Sequence, residues 1–475
     1  MNKTRRVAKN TIVRSAAQVF NMILSAGFLM YVTRKLGSTD FGKYTLAFSL
    51  SSLLVVVSEM GVHTLLMREI AKKKDKTNLI FGNILIIKLF LTVLFFILLA
   101  VANYLLNSPR EVSYIVYAMG IFVLTTSFFD VINSVFRGYE KMEYEAAFML
   151  LNRVIVVASG AFALYIGYRL KGFATALVIS NIMSLFPAVA ISFKKFIAPK
   201  MKIDTDLVKV IFKEAFPIGL MLLLTTVILK SGAVLIPLFK DYADTGLYGA
   251  PLRLMESLIV FPLFFSNALL PVFTALYTSR SESLIRWYEG SFRFLIIIGL
   301  PFVIVVTVLA NNFVRLLFGK GFADSTIVLQ LLIWATFFMS LNTILSYLLI
   351  ATDRQRLNVI TYGIGAVCTV ISGLILIPPL SYTGAGISLL SGQILLFAMA
   401  FYLIYRTLFK VSLIHLTVKP LISSFLMGGL IFFLKEWNII LGVLFGILFY
   451  FGFLFLFKAI HREDMALFKD ILRQG

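Results

Sequence analysis

The sequence predicts an all-α polytopic membrane protein with about 14 transmembrane helices, organised as two six-helix lobes followed by an additional helix pair. Three observations lead to this fold class. Of the 475 residues, 60% are apolar and only 14% are charged, and the mean hydropathy is +0.93, which is too high for a soluble domain of this size. The apolar residues form runs long enough to cross about 30 Å of hydrocarbon. The charges that flank these runs are biased toward one side of the membrane.

Apolar runs of about 17 to 30 residues are the predicted membrane helices, because a helix of this length crosses the bilayer with its backbone hydrogen bonds satisfied. The first run follows Lys3, Arg5 and Arg6, as in a signal peptide, but it is too long and lacks a small-x-small cleavage site. We therefore expect it to remain as a membrane helix. In chain order the predicted spans are 12–33, 44–67, 79–105, 114–136, 147–168, 172–193, 214–238, 246–275, 291–311, 325–350, 358–377, 384–404, 419–434 and 438–458.

The distribution of basic residues predicts the orientation in the membrane. With both termini and every second loop in the cytoplasm, the cytoplasmic segments hold roughly three times as many Lys and Arg residues as the opposite loops. This bias predicts that both termini are cytoplasmic, which requires an even number of spans, and we expect the protein in the plasma membrane. The net charge of +21 therefore reflects topology, and we expect no nucleic-acid partner. Lys72, Lys73, Lys74, Lys76, Lys194 and Lys195 are topology determinants or, alternatively, contacts for anionic lipid head groups.

Several functional classes are disfavoured by what the sequence lacks. The longest polar stretch, 194–213, is too short for a soluble catalytic domain, and no Gly-rich phosphate loop followed by Lys-Ser or Lys-Thr is present. Cys368 is the single cysteine, and His63, His415 and His461 are too scattered for a metal site. We therefore predict a transporter and not an enzyme, with no metal and no cofactor.

A short motif occurs twice and predicts an internal repeat. Residues 40–44 and 244–248 both read Asp-x-Gly-x-Tyr, at an offset of 204 positions, and each motif opens a predicted span. Because an even number of spans separates the copies, the two halves have parallel topology. The predicted domains are an N-terminal lobe (1–193, spans 1–6), a C-terminal lobe (214–404, spans 7–12), the additional spans 13 and 14 (419–458) and a cytoplasmic tail (459–475).

Residues 214–275 form a hairpin of two spans that carries Lys230, Arg253 and Glu256 in its apolar segments. A charged side chain near the bilayer centre costs roughly 2.5 to 3.5 kcal/mol, so such groups face a protein interior or a watery cavity. Five of the twelve prolines also lie in this hairpin, which is typical of broken helices that line a transport site. They are Pro217, Pro237, Pro251, Pro262 and Pro271.

The three charges of this hairpin are the first candidate site. Lys230 and Arg253 both lie roughly 11 Å below the outer end of their helices, at 1.5 Å per residue, and Glu256 follows Arg253 by three residues on the same face. One interpretation is an internal ion pair that holds spans 7 and 8 together. The other is a phosphate-binding site in which Lys230 and Arg253 bind substrate and Glu256 has a coupling or gating role.

The first half of the chain has a second set of intramembrane charges. Glu59, Lys88, Asp130 and Arg153 each lie about six to nine residues from the cytoplasmic ends of spans 2 to 5, and their signs balance. A balanced set suits coupling, a gate or a brace, whereas Lys88 and Arg153 alternatively snorkel to the interface. Glu59 and His63 are four residues apart, so they form either a proton relay or an ordinary polar pair.

Uncharged polar residues and small residues inside the spans predict helix packing. We expect five asparagines to hydrogen-bond between helices: Asn133, Asn152, Asn181, Asn267 and Asn342. Gly442 and Gly446 form a small-xxx-small pattern, which predicts close packing within the chain.

Several local motifs resemble those of polysaccharide-export flippases of the MOP superfamily. They are the stretch 30–44, with Arg-Lys-Leu-Gly-Ser-Thr-Asp-Phe-Gly-Lys-Tyr, Ser-Glu-Met-Gly at 58–61, Met-Arg-Glu-Ile-Ala at 67–71, and Leu-Phe-Gly-Lys-Gly-Phe at 317–322. Asn10 before the first span also fits. The resemblance covers the chain by length and number of spans, while its sharp motifs are confined to these segments.

The resemblance implies a V-shaped alternating-access transporter that moves polyprenyl-diphosphate-linked oligosaccharide from the cytoplasmic to the outer leaflet. It implies a cationic central cavity for the diphosphate or glycan, to which Arg14 contributes unless it snorkels, and a lipid groove formed by residues 419–458. The implied partners are the lipid-linked oligosaccharide, membrane lipids, and a glycan polymerase or glycosyltransferases of the same pathway.

Two other functions stay open from the sequence. An ion-coupled multidrug or small-molecule antiporter of the same fold would favour an acidic or aromatic cavity, and the excess of cations at Lys230 and Arg253 argues against it. A membrane-embedded glycosyl-transfer enzyme would need catalytic carboxylates in a sizeable outer loop, whereas the outer loops here are about five to thirteen residues long.

Overall fold

A computed structural model shows a helical protein. It describes the main chain of residues 3–72, 77–412 and 414–456, and within these the side chains of 17–70, 77–263, 265–412 and 416–456; no strand occurs in this part. The helices are α1 (Lys3–Glu59), α2 (Val62–Lys72), α3 (Thr77–Leu105), α4 (Arg110–Gly138), α5 (Met142–Tyr165), α6 (Leu170–Lys195), α7 (Thr205–Phe239), α8 (Tyr242–Leu258), α9 (Val260–Thr278), α10 (Ser283–Val308), α11 (Ala310–Leu317), α12 (Ser325–Ala351), α13 (Gln355–Thr407), α14 (Ile414–Leu434) and α15 (Ile439–Leu456).

The chain forms two compact units, residues 1–250 and 251–475, and the boundary between them falls inside α8. The predicted lobes follow the sequence repeat, so their boundaries stay predictions. Some sequence-predicted features lie outside the described residues: the side chains of Arg14, Lys72 and His415, the residues Lys73, Lys74, Lys76 and His461, and the tail 459–475.

The long helix α1 consists of two antiparallel arms. Its continuity is broken at Gly37, where φ is 72° and lies in the left-handed region that glycine adopts without strain. Phe28 and Tyr44 would be about 24 Å apart along one straight helix, yet both rings pack on Phe173, with centroid distances of 6.1 and 5.7 Å. The chain therefore reverses at Gly37, and the two arms correspond to the first two predicted spans.

Helix α13 reverses in the same way at Ser381, where φ is 50°. The hydroxyl groups of Ser372 and Ser391, on opposite sides of the reversal, are 3.3 Å apart. Further from the turn, Thr369 packs against Gly392. These cross-contacts define a helical hairpin whose arms correspond to predicted spans 11 and 12.

The predicted number of spans is confirmed by the described helices. Twelve helical segments are long and apolar enough to cross a membrane, with α8 and α9 together forming one of them. Two of the twelve, in α1 and α13, fold back on themselves and provide two crossings each. The described part of the chain therefore holds fourteen crossing segments, as expected for a multi-pass membrane protein.

Polar side chains join neighbouring helices where the sequence predicted it. Three such pairs are Asn152 to Asn181 (2.7 Å, α5 to α6), Tyr347 to Asn267 (2.6 Å, α12 to α9) and Asn342 to Gln393 (2.8 Å, α12 to α13). These bonds confirm the prediction for four of the five asparagines. Asn133 is buried in α4.

Helices α14 and α15 form a hairpin that packs on α10. Gly446 lies against Ile431, which confirms that the small-xxx-small pattern packs within the chain. The Tyr450 hydroxyl donates a hydrogen bond of 2.7 Å to the carbonyl of Ile297, and this bond fixes α15 to α10.

Candidate functional site

The two copies of the Asp-x-Gly-x-Tyr motif pack directly against each other in the first unit. Gly42 lies against the carbonyl oxygen of Tyr242, and Gly246 lies against the carbonyl oxygen of Ser38. Because Tyr242 and Gly246 are the repeat equivalents of Ser38 and Gly42, at an offset of 204, the same contact is made twice in opposite directions. This reciprocity is the signature of a local two-fold pseudo-symmetry.

The pseudo-axis passes close to Thr45 and Gly249. These residues are also 204 positions apart, and the Thr45 side chain contacts Gly249. A residue that touches its own repeat equivalent must lie near the axis that relates the repeats. We name this set of contacts the glycine seam; it comprises Ser38, Gly42, Thr45 and their repeat equivalents Tyr242, Gly246 and Gly249.

Lys230 lies inside the first unit and is only 7% exposed. Its Nζ atom is 5.2 Å from the centroid of the Phe48 ring, on the second arm of α1. A cation over an aromatic face is stabilised by the ring quadrupole, which offsets part of the cost of burying the charge. The structure therefore places Lys230 among protein side chains.

Arg253 and Glu256 form an ion pair on α8, in the second unit. The Nη1 atom of Arg253 is 3.4 Å from Oε2 of Glu256, and the two side chains are 20% and 21% exposed. The spacing of three residues brings both groups to one face of the helix, as the sequence predicted. Part of the positive charge of Arg253 is thus balanced within its own helix.

A serine that the sequence analysis did not single out connects two of the predicted charges in the first unit. Lys88 is buried, at 2% exposure, and its Nζ atom donates a hydrogen bond of 2.6 Å to the hydroxyl of Ser127. Ser127 in turn donates to the carboxylate of Glu59. Lys88 also lies 4.9 Å from the centroid of Phe128. The ammonium group of Lys88 therefore points into the helix bundle and does not snorkel.

Asp130, one turn after Ser127 on α4, joins the same group of charges. It lies within electrostatic range of Glu59 and Lys88 and of a further pair, Arg137 and Glu145, whose atoms Nε and Oε1 are 3.7 Å apart. His63 faces the positive charges of Lys88 and Arg137. The predicted residues Glu59, His63, Lys88 and Asp130 are thus brought together.

We name this group the α4 charge cluster. Among its described members, Glu59, Asp130 and Glu145 are acidic while Lys88 and Arg137 are basic, so the acidic groups exceed the basic ones by one. The sequence did not predict Arg137 and Glu145 as members of this cluster, because they lie just outside predicted spans 4 and 5. Their position at the span ends was the only available signal.

The other predicted residues have different surroundings. Arg153 lies partly buried on α5, one residue after Asn152. Arg14 lies on α1, and its side chain is outside the described residues. Among the described residues, no group of three or more His, Cys, Asp or Glu side chains has the arrangement of a metal site.

Known proteins resemble this chain in sequence family and in fold. A family model for a polysaccharide biosynthesis protein matches residues 7–277. The fold is similar to that of a lipid II flippase, MurJ, in an inward closed conformation, with a TM-score of 0.76 and 15% identity over 94% of this chain and 98% of that one.

The fold is also similar to that of multidrug transporters. An inward-facing MATE-family transporter of the MOP superfamily matches with a TM-score of 0.66 and 16% identity, over 82% of this chain and 96% of the other. A point mutant of the Vibrio cholerae MATE transporter VcmN matches with a TM-score of 0.51 and 14% identity, over 85% of this chain and 93% of the other. No curated protein sequence matches this chain significantly.

Proposed function

Because the chain belongs to the polysaccharide biosynthesis protein family, whose model matches residues 7–277, we propose that it is a flippase for lipid-linked oligosaccharide. It carries a polyprenyl-diphosphate-linked glycan from the cytoplasmic to the outer leaflet of the plasma membrane, with both termini in the cytoplasm. The similarity of its fold to the lipid II flippase MurJ supports this proposal. The observation that carries it is a lysine, Lys230, held in the interior of a predicted membrane helix bundle.

In this proposal the diphosphate is bound by cationic side chains. Lys230 provides positive charge within the first unit, and Arg253 and Arg14 are the further cationic residues proposed from the sequence. Arginine suits this role because its planar guanidinium matches two phosphate oxygens at once. Glu256 competes with the ligand for Arg253 and so favours release of the head group.

The glycine seam supports alternating access as the transport mode. The two motif copies meet in a reciprocal contact, which gives the helices that carry them two equivalent ways to tilt, as in transport by repeated domains. Close backbone contact at Gly42 and Gly246 leaves no intervening side chains to interlock. We propose that the helices α1 and α8, which carry the two motif copies, move relative to each other at this seam.

The α4 charge cluster has the coupling or gating role. Helix α12 is the counterpart of α4 in the second repeat, and its sequence contains no charged residue. The fold therefore does not require charges in this position, and the intramembrane carboxylate of Asp130 serves function more than folding. Arg153 is proposed to act with this cluster.

A second candidate function is an antiporter for drugs or other small molecules, since MATE transporters share the fold. The family match favours the flippase, because it describes polysaccharide biosynthesis. We propose that the protein is a transporter and not a glycosyl-transfer enzyme, and that it works with a glycan polymerase or glycosyltransferases of its pathway.

The test is translocation by the purified protein in proteoliposomes. The probe is a fluorescent polyprenyl-diphosphate oligosaccharide, whose exposed fraction is measured with a membrane-impermeant lectin. We expect Lys230→Met to abolish flipping and Lys230→Arg to retain part of it. Lys209→Met, on the same helix at a side chain that is 79% exposed, is the matched control. Unchanged flipping by Lys230→Met would contradict the role of this lysine, and a wild-type protein that moves no probe would contradict the function.

A further inference from the structure

A series of aromatic rings runs through the first unit and passes beside Lys230. The consecutive centroid distances are 6.1 Å for Phe28 to Phe173, 5.7 Å for Phe173 to Tyr44, 6.1 Å for Tyr44 to Phe48 and 6.5 Å for Phe48 to Phe122. Three helices, α1, α4 and α6, contribute these five rings. We name this series the aromatic track.

Four of the five rings of the track are partly exposed. Phe173 is fully buried and supports the series from behind, whereas Phe28, Tyr44, Phe48 and Phe122 are only partly buried. The four partly buried rings therefore have surface that is available for contact with a ligand.

Comparison with the second repeat shows that the fold does not require the track. Tyr44 corresponds to Tyr248, which is fully buried. At the same offset of 204, Phe28 corresponds to Gly232 and Phe48 corresponds to Leu252. The second repeat therefore lacks partly exposed rings at these two positions.

The charged residues show the opposite distribution. Lys230 corresponds to Ala26 in the first repeat, and Arg253 corresponds to Ser49, next to Phe48. At these positions the first repeat has aromatic rings and the second has cations. Within the first unit, the rings and the Lys230 cation lie side by side and suit two chemically different parts of a ligand.

The chemistry of the track fits sugar rings. One face of a pyranose presents a patch of C–H groups with partial positive charge, and the face of an aromatic ring carries the negative side of its quadrupole. The two faces attract each other, while the sugar hydroxyls stay free for water. Cationic drugs would also bind aromatic faces, but the ammonium group of Lys230, only 5.2 Å from the Phe48 centroid, repels them.

We propose that the aromatic track is a glycan-binding subsite in which Tyr44, Phe48 and Phe122 stack on sugar rings while Lys230 binds the adjoining phosphate. This inference rests on the proposed flippase function and adds the part of the substrate that the first repeat recognises. Phe48 is the ring of the track that lies next to Lys230, so it marks where the glycan adjoins the phosphate.

The experiment compares two probes on the purified full-length protein: a polyprenyl diphosphate, and the same lipid carrying an oligosaccharide. Affinities are measured by calorimetry in detergent. We expect the wild type to bind the glycosylated probe more tightly than the sugar-free one. Phe48→Leu should lose about 2- to 10-fold in affinity for the glycosylated probe, the equivalent of one aromatic stacking contact, while its affinity for the sugar-free probe changes little.

Two further variants control for packing. Phe48→Tyr retains the ring and should retain the preference for the glycosylated probe. Phe95→Leu removes a fully buried ring of α3 outside the track and should change neither affinity. If Phe48→Leu proves too unstable to purify, Phe122→Leu tests the last ring of the track by the same comparison.

The outcomes separate this inference from the function on which it rests. A wild type that binds the sugar-free probe with no preference for the glycosylated one leaves the flippase standing and overturns the subsite. Equal losses for both probes in Phe48→Leu also overturn it, because the ring would then act only through Lys230. If the wild type binds neither probe, both proposals fail.

Discussion

Gly42 packs against the main-chain carbonyl of Tyr242, and the repeat equivalents Gly246 and Ser38 make the same contact in reverse. The partner atom in each contact belongs to a helix backbone, which cannot rotate away as a side chain can. The seam between the repeats is therefore sensitive to the addition of a single methyl group on either side.

The first prediction concerns this seam. Gly42→Ala and Gly246→Ala should each destabilise the purified protein by about 1 to 3 kcal/mol, because the new methyl group collides with a carbonyl oxygen. The pseudo-symmetry further predicts similar losses for the two variants. Thermal unfolding in detergent measures the stability, and the proteoliposome assay measures the expected decrease in flipping.

Gly27→Ala provides the control on the first arm of α1. A Cβ atom at Gly27 meets no neighbour within 4 Å, so alanine should be neutral or slightly stabilising through its better helix propensity. If Gly27→Ala, Gly42→Ala and Gly246→Ala had equal melting temperatures, the close backbone contacts of the glycine seam would not exist. The proposal of motion at this seam would then lose its physical basis.

The second prediction concerns Ser127, which bridges Lys88 and Glu59. Ser127→Ala leaves a buried ammonium group without this acceptor, and an unsatisfied buried polar group costs about 1 to 3 kcal/mol. We expect lower thermal stability and slower flipping. The matched control is Ser134→Ala on the same helix, since the Ser134 hydroxyl donates only locally, to the carbonyl of Val131. Similar effects of both substitutions would argue against the bridge.

The third prediction separates coupling from bracing in the α4 charge cluster. Asp130 lies within electrostatic range of two acidic groups, Glu59 and Glu145, and is therefore the carboxylate of the cluster proposed to take up a proton. If it couples transport to protons, Asp130→Asn should remain folded and flip the probe at a rate that no longer responds to an imposed pH gradient. Asp206→Asn, at a carboxylate that is 91% exposed, should respond as the wild type does.

A brace would give a different pattern from coupling. In that case Asp130→Asn would melt at a lower temperature and lose flipping by the same factor with and without the gradient. The comparison therefore decides between the two roles that the sequence left open for this residue.

Much of the fold follows from local sequence, because membrane spans are determined by runs of neighbouring apolar residues. The reversals at Gly37 and Ser381, where the backbone is not helical, separate apolar runs that the sequence already resolved. The repeat was also visible, as a shared motif. That its copies touch each other was not, because contact between positions 204 residues apart depends on tertiary packing.

The candidate site was less predictable for the same reason. Intramembrane charges such as Lys88 and Asp130 stand out in an apolar sequence. Ser127 does not, because serine is common in membrane helices and only the approach of α3 and α1 to α4 gives it charged partners. Likewise, the aromatic track consists of ordinary aromatic residues until the folded chain aligns their rings.

The fourth prediction concerns the Arg253–Glu256 ion pair. Glu256→Gln removes a negative partner that is 3.4 Å from Arg253, and it makes the net charge of α8 less negative by one. We expect tighter binding of the sugar-free polyprenyl diphosphate and slower turnover, because release of the head group then lacks its competitor. Arg253→Ala should weaken binding. Calorimetry and the flipping assay provide the two readouts, and unchanged affinity in both variants would reduce the pair to a local contact within α8.

The last prediction concerns the membrane potential. A diphosphate head group that carries about two negative charges gains roughly 4.6 kcal/mol on moving outward across an inside-negative potential of about 100 mV, at about 2.3 kcal/mol per charge. The return of the emptied, positively charged site toward the negative side is favoured by the same field. A potassium gradient with valinomycin should therefore accelerate flipping toward the positive side and slow it when the polarity is reversed. Lys230→Arg keeps the positive charge and should keep this response to the potential. If flipping by the wild type did not change with either polarity, the head group would cross with its charge neutralised by a bound cation or proton.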